Sequence, residues 1–233
     1  MELLLEALGR AAGLLGGGDG EIWGILWLSL RVSATGTAVA LALGIPLGAL
    51  LALARFPGRN LMVSAVNTGM GLPPVVVGLF VSLLLWRSGL FGAWEILYTP
   101  TAIVIAQAVI ASPIVTGITL AAVQNVPERF RLQLVGLGAS RLQMVWVVLR
   151  EARLPMLAAV MAGFGGIISE IGASMMVGGN IKGHTRTLTT AMVLETGKGN
   201  FDVAIALAIL LLVLIFLVNW ALTAIQQRGA SAR

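Results

Sequence analysis

The sequence predicts an all-α integral membrane protein with about five transmembrane helices and one cytoplasmic helix-turn-helix loop. Three observations carry that prediction. First, 58% of the residues are hydrophobic and only 11% are charged, with a mean hydropathy of +0.96, whereas charged residues make up about a quarter of a soluble domain. Second, five apolar runs are long enough to cross the hydrocarbon core, which takes about twenty helical residues. Third, a single long basic segment, Pro127 to Pro155, interrupts them with a helical pattern of its own. The chain has no cysteine, which excludes disulfides and thiolate metal sites.

The amino terminus, MELLLEALGRAAGLLGGGDG, places Glu2 and Glu6 where a secretory signal carries positive charge, and its apolar stretch ends in glycines. Residues 1–21 therefore read as a retained interfacial helix and a Gly-rich turn. Residues 22–233 read as one transmembrane domain, with the cytoplasmic loop at 124–155. The first span is centred on Ser33 to Leu53, with a start as early as Trp23, and Arg31 near its outer end reads as snorkelling to headgroups. The second runs from Leu61 to Trp86 without a charge, the third from about Thr99 to Val123, the fourth from Pro155 to about Val177 with Glu170 inside it, and the fifth from Val203 to Ile225.

Pro46, the Pro73-Pro74 pair, Pro113, and a fourth span containing Gly163, Gly165, Gly166 and Gly172 mark these spans as more than anchors. Proline at membrane depth frees a carbonyl that must be satisfied within protein or beside a water-filled cavity. Glycine and proline are commoner in membrane helices generally, which explains any one of these positions but not the set.

Charge sets the orientation. Arg55, Arg59, Arg129, Arg131, Arg141, Arg150, Arg153, Arg228 and Arg233 fall on one side, nine of the fifteen basic residues, accompanied only by Glu128 and Glu151, so nine minus two leaves +7. The excess of Lys and Arg favours an outer amino terminus, a cytoplasmic carboxyl terminus and a cytoplasmic loop.

Within the loop, Pro127 suits the first position of a helix whose apolar face is Phe130, Leu134 and Leu137. Gly138 suits a left-handed terminating turn. Ser140 with Gln143 forms a capping-box pattern ahead of a second helix. The pattern alone also fits an amphipathic pair lying on the bilayer surface.

The Gly138-Ala139-Ser140 turn and the downstream Leu154-Pro155 resemble the cytoplasmic signature loop of permease subunits in ABC importers. That signature usually opens Glu-Ala-Ala six residues before the glycine; here Leu132, Gln133 and Leu134 stand there, without the acid. The usual Leu-Pro is replaced by Arg150-Glu151. LSLRVSATGTAVALALGIPLGALLA with FPGR is similar to the first core helix and inner turn of oxyanion-importer permeases. LPPVVVGL (72–79) and SEIGASMMVGGNIKGHTRTLTTAM (169–192) resemble the molybdate and tungstate branch, and GGNIKGHTRTLTTA followed by ETGKGNFD looks closer to tungstate permeases.

The resemblance implies a type I importer fold and a non-catalytic translocation subunit. It implies a permease homodimer, two ATPase subunits that hold ATP and Mg2+, an extracytoplasmic binding protein and an oxyanion substrate, with no cofactor, metal or nucleic acid on this chain. The only lysines, Lys182 and Lys198, belong to no GxxxxGK[ST] loop, so this chain cannot be the ATPase by that route. Leu137, Gly138, Ala139, Ser140 and Arg141 are then the expected ATPase-coupling residues. Thr68, Ser112, Thr116, Ser169 and Ser174 are candidate hydroxyls of an oxyanion pathway, with Pro73, Pro74 and Glu170 at its gates. Glu170, an acid inside a span, is functional by default; because an anion path avoids a bare carboxylate, it is expected to pair with a hydroxyl, backbone amide or basic residue. Lys182, His184 and Arg186 are candidates for docking the binding protein or concentrating a dianion, although His184 alone reads as a solvated loop residue. The rival classes are weaker. A secondary transporter more often shows inverted repeats, which are not evident here, and a membrane enzyme lacks HExxH, GxSxG and a second histidine.

Overall fold

The computed structural model describes residues 5, 6, 8, 9, 12, 13 and 20–231. The interfacial helix and glycine turn expected over 1–21 lie largely outside the described residues. The described chain is helical throughout, without strands.

Helix α1 (Gly20–Leu53) starts earlier than Ser33 and runs 34 residues, about 51 Å at 1.5 Å per residue, longer than the hydrocarbon core and therefore tilted or projecting beyond it. Its counterpart α4 (Pro100–Gln124) starts on Pro100, with the Thr99 side chain accepting the Ala102 N–H. Both contain an internal proline, Pro46 in α1 and Pro113 in α4.

These two helices form the spine. Gly36, Ala40, Gly44 and Gly48 recur every four residues along one buried face of α1. A Cβ added at Gly36 would stand 3.0 Å from Gln107 Cβ, one at Gly44 2.7 Å from Val115 Cγ1, and one at Gly48 2.6 Å from the Thr116 carbonyl oxygen. Small residues at this spacing let two backbones approach closely. Because the partner numbers climb together, the two helices run parallel, as a chain that crosses back once between them requires.

The returning crossing is not one straight helix. Helices α2 (Arg59–Met70) and α3 (Pro74–Leu85) are bent by 103° at the break before Pro74, so the run from Leu61 to Trp86 is interrupted at Pro73-Pro74 as expected and consists of two half-length pieces. The Pro73-Pro74 pair offers no backbone N–H and restricts the preceding residue, which ends α2. After a single 3-10 turn at Gly92–Trp94 and α4 come the loop helices α5 (Glu128–Gly136) and α6 (Arg141–Glu151). Then α7 (Arg153–Ile168) and α8 (Gly172–Gly178) form a second broken pair, bent by 61°. Helix α9 (Leu188–Gly197) and the long α10 (Phe201–Ser231) complete the chain. Among the described residues, three helices are long and apolar enough to cross a membrane, or up to five if each bent pair is one span.

Directions alternate consistently. At one end Ile22, Ile25, Ile168, Leu188 and Leu207 pack together, joining the starts of α1 and α10 to the end of α7. At the other, Val123, Val126, Val148 and Ala152 form a small core with Leu53, Phe130, Leu134 and Leu149. Gln226 Nε2–H donates to the Leu154 carbonyl, placing the end of α10 at this second end. The start of α1 and the end of α10 thus lie at opposite ends of the bundle, and the basic loop sits at the carboxyl-terminal end.

Candidate functional site

The two helix breaks face each other. A Cβ on Gly172, at the start of α8, would meet Val75 Cγ2 at the start of α3, and one on Gly78 would stand 2.6 Å from Ala173 Cα. Pro73 and Pro74 therefore lie against the segment that carries Ser169, Glu170 and Ser174. Glu170 Oε1 accepts the Ala173 N–H at 3.1 Å, and the Thr189 hydroxyl donates to the Glu170 carbonyl at 3.2 Å. Of the partners expected for Glu170, the backbone amide is the one observed. Its carboxyl oxygen occupies the place an anion would take at the start of α8, so that helix end is capped by the chain itself.

One step along, α2 leans on α4. A Cβ at Gly69 would stand 2.8 Å from Pro113 Cβ, and one at Gly117 2.6 Å from Met70 Sδ. This contact sets Thr68 close to the level of Ser112 and Thr116. Thr68 is exposed, and none of the residues of α2 is buried. The Ser112 hydroxyl donates to Ala108 O and the Thr116 hydroxyl to Ser112 O within their own helix. These bonds use the hydroxyl protons on carbonyls that flank Pro113 and leave the oxygen lone pairs, not the protons, for a solute. Ser169 is exposed and donates to Gly165 O at 2.7 Å, whereas Thr116 and Ser174 are buried. The five candidate hydroxyls thus form two groups, Thr68 with Ser112 and Thr116 on the α2–α4 contact, and Ser169 with Ser174 at the α7–α8 break.

At the end that holds the start of α1, Lys182 pairs with Glu21 at 2.8 Å and Arg186 approaches the same carboxylate at 3.8 Å. The pair ties the start of α1 to the α8–α9 loop. His184 is exposed beside them and lines one cavity with Arg31 and Trp27. The loop is held from within by threonines. Thr185 Oγ1 donates to Gly178 O at 2.6 Å and accepts the Ile181 N–H, Thr187 and Thr190 form a reciprocal cap, and Leu188 N–H donates to Ser29 Oγ on α1 at 2.8 Å. Further along, the Asn200 amide and the Lys198 ammonium hold the Glu195 carboxyl below its usual range. Sequence reading missed Glu21, Ser29 and the Thr187–Thr190 cap; the T-x-x-T spacing before a helix is the signal that marks the last. It also missed Gln107, a buried amide on α4 whose Nε2–H donates to Ile167 O across the α4–α7 contact.

At the opposite end, the basic loop folds as two helices around a tight turn. Gly138 has φ +78°, a left-handed conformation that glycine adopts without strain. Gln143 N–H donates to Ser140 Oγ at 3.4 Å while Ser140 N–H donates to Gln143 Oε1 at 2.8 Å. The expected apolar face of α5 needs one correction. Phe130 and Leu134 pack into the small core, but Leu137 is 84% exposed, because it follows the last turn of α5 at the point where the chain reverses. Leu142 and Trp146 on α6 are 81% and 68% exposed. Large apolar side chains clustered around one exposed turn suit a contact with a protein or with the bilayer surface.

Residues 44–230 match the family described as the binding-protein-dependent transport system inner membrane component. The chain belongs to that family. It is 38% identical over 229 residues, 97% of this chain and 100% of the relative, to the tungstate uptake system permease protein TupB of Peptoclostridium acidaminophilum. It is 41% identical over 197 residues, 82% and 85% of the two chains, to a probable anion ABC transporter permease protein of Haloferax volcanii. The molybdenum transport system permease protein ModB of Escherichia coli is 31% identical over 180 residues, 73% and 78% of the chains. The fold is that of a chain solved in inward-facing conformations of the MetNI methionine ABC transporter, with a TM-score of 0.72 at 19% identity, covering 91% of this chain and 98% of that one. The family match contains both helix breaks and the whole basic loop, so the geometry described above belongs to an inner membrane transport component. It also agrees with the type I importer fold expected from the signature loop.

Proposed function

We propose that this chain is the pore-forming permease subunit of an ATP-driven importer of tungstate. The observation that carries the reading is the 38% identity to a tungstate uptake permease along 97% of the chain, which takes in both helix breaks and the loop. Two copies would enclose the pathway, two ATPase subunits carrying ATP and Mg2+ would bind at the loop end, and an extracytoplasmic protein would deliver the oxyanion at the other. This chain then needs no cofactor of its own. The arginine excess at the loop end supports a cytoplasmic position for that end and the carboxyl terminus, with the start of α1 outside.

The geometry supplies a route for coupling. Leu137, Leu142 and Trp146 around the Gly138 turn offer the ATPase an apolar grip, with Ala139, Ser140 and Arg141 beside it. Phe130, Leu134 and Val148 clamp α5 and α6 onto the ends of α1 and α4. The same core includes Ala152 and the partly buried Met156 at the start of α7, whose far end is the Ser169–Glu170 break that abuts Pro73-Pro74. Closing of the ATPases would rock α7 as a rigid body and shift one break against the other. Outside, Lys182, Arg186 and His184 would receive the binding protein or draw in the dianion.

ATP-dependent tungstate uptake in proteoliposomes holding this chain, its ATPase and its binding protein tests the reading, with molybdate and sulfate as competitors. Uptake should require all three components and should be lost in Gly138→Arg, which forces a side chain into the left-handed turn, while membrane insertion stays normal. Uptake without the ATPase would return the chain to the secondary transporters; stronger competition by molybdate would make molybdate the cargo.

A further inference from the structure

The loop end carries two joined cavities with opposite chemistry. One, of about 490 Å³, lies where α1 turns into α2 and is lined by Arg55, Arg59, Arg131 and Asn60 without an acidic residue. The other, of about 750 Å³, is a mainly apolar trough between the last turns of α1 (Ile45, Pro46, Leu50) and α6 (Met144, Val145, Leu149), with Arg141 at the start of α6 and Arg55 as its charged residues. Leu53, Ala54 and Arg55 line both, so the trough leads into the arginine cavity.

The arginines are preset. Arg59 Nε–H donates to Leu51 O at 2.6 Å, and Arg131 Nη2–H donates to Val123 O at 2.6 Å and Val126 O at 3.2 Å. These bonds hold two guanidinium groups in place on the carbonyl ends of α1 and α4, where positive charge is favoured. Arg131 Nε is buried with no partner, and none of the three arginines has a carboxylate within ion-pair distance among the described residues. A planar guanidinium fork suits a phosphate. Helix α1 leaves Pro46 and Leu50 exposed beside the trough, so the apolar half opens where a bilayer tail would lie.

We propose that these joined cavities bind one anionic phospholipid, its phosphodiester among Arg55, Arg59 and Arg131 and an acyl chain in the trough. A free tetrahedral oxyanion shares the headgroup chemistry but has nothing to place in the trough, and the lipid is therefore the occupant. Basic cavities between helices at this membrane face suit anionic headgroups. The bound lipid would brace α6 against α1, and it would do so whichever solute is carried.

Native mass spectrometry of the full chain purified in detergent, titrated with phosphatidylglycerol or phosphatidylcholine, tests the assignment. One phosphatidylglycerol per chain should be retained in preference to phosphatidylcholine, and retention should fall by about tenfold or more in Arg55→Gln and Arg131→Gln. Arg129→Gln, which removes a charge from the same loop outside the cavity, should bind as wild type. Arg55 makes no hydrogen bond to the described residues, so its variant keeps the test valid if Arg131→Gln fails to fold. Leu50→Ser should weaken lipid retention as well. Equal retention of the two lipids, equal loss in Arg129→Gln, or full displacement of the lipid by inorganic phosphate or tungstate would overturn the proposal, the last by making the cavity a free-oxyanion site.

Discussion

At the level of single residues, this protein depends on atoms that are absent as much as on those present. Gly48 faces the Thr116 carbonyl so closely that a methyl group cannot enter without moving a backbone; Gly48→Ala should cost about 1–3 kcal/mol by overpacking. Gly24, on the same helix with nothing within 4 Å, is the control, and Gly24→Ala should leave the melting temperature in detergent unchanged or slightly raised. Equal losses in the two variants would rule out the close helix approach as the cause. Glu170 gives a second prediction. Its carboxyl oxygen caps α8 through the Ala173 amide, a job that an amide oxygen also performs. Glu170→Gln should therefore retain most stability and uptake, whereas Glu170→Ala should lose about 1 kcal/mol and much of its transport. If Gln were as inactive as Ala at equal stability, the charge itself would be what transport requires. That Glu170 needs a partner was legible in the sequence, since a bare carboxylate at membrane depth is costly; which of three partners it takes was not, because that depends on where the chain breaks.

At the level of the element, the loop was the most legible part of the chain, because its signals are local. A left-handed glycine and a serine three residues before a glutamine specify the turn and the second helix without outside help, and both form as the spacing predicts. Leu137 departed from its expected face because the helical period cannot be extended through the residue that ends the helix. The same locality separates the roles of Ser140 and Leu142. Ser140→Ala removes a cap worth about 1 kcal/mol and should lower ATPase co-purification only mildly, since the small core still holds α5 and α6 in place. Leu142→Asp leaves the fold untouched, the side chain being 81% exposed, but puts a charge into the apolar grip and should abolish co-purification of the ATPase from membranes. Intact co-purification of Leu142→Asp would move the coupling surface elsewhere. The two broken spans were half legible. Their prolines and glycines announced interruption, but the bend angles arise from contacts between elements far apart in sequence, Val75 with Gly172 and Gly69 with Pro113, which no local pattern encodes.

At the level of the whole molecule, the parallel spine of α1 and α4 supports α2 on one side only, and α2 is left with no buried residue. An amphipathic helix at membrane depth that carries Asn60, Ser64, Asn67 and Thr68 is not suited to bare lipid, since unsatisfied polar groups there cost several kcal/mol each. It must face water, a second copy or both, as the proposed homodimer around a pathway provides. The absence of cysteine makes this directly testable, because any introduced thiol is the only one. Thr68→Cys should react with a membrane-impermeant thiol reagent, and its rate should change when the ATPase is trapped with nucleotide, because rocking of the two breaks opens or closes the water path beside it. Leu83→Cys on α3, also exposed in the single chain but flanked by Leu79, Phe80, Leu84 and Leu85, should stay unreactive if that face meets lipid tails. Reaction at Leu83 with none at Thr68 would invert the assignment of faces, putting the water path along α3 and the lipid along α2. A nucleotide-insensitive reaction at Thr68 would keep α2 beside water but remove it from the moving part of the transporter.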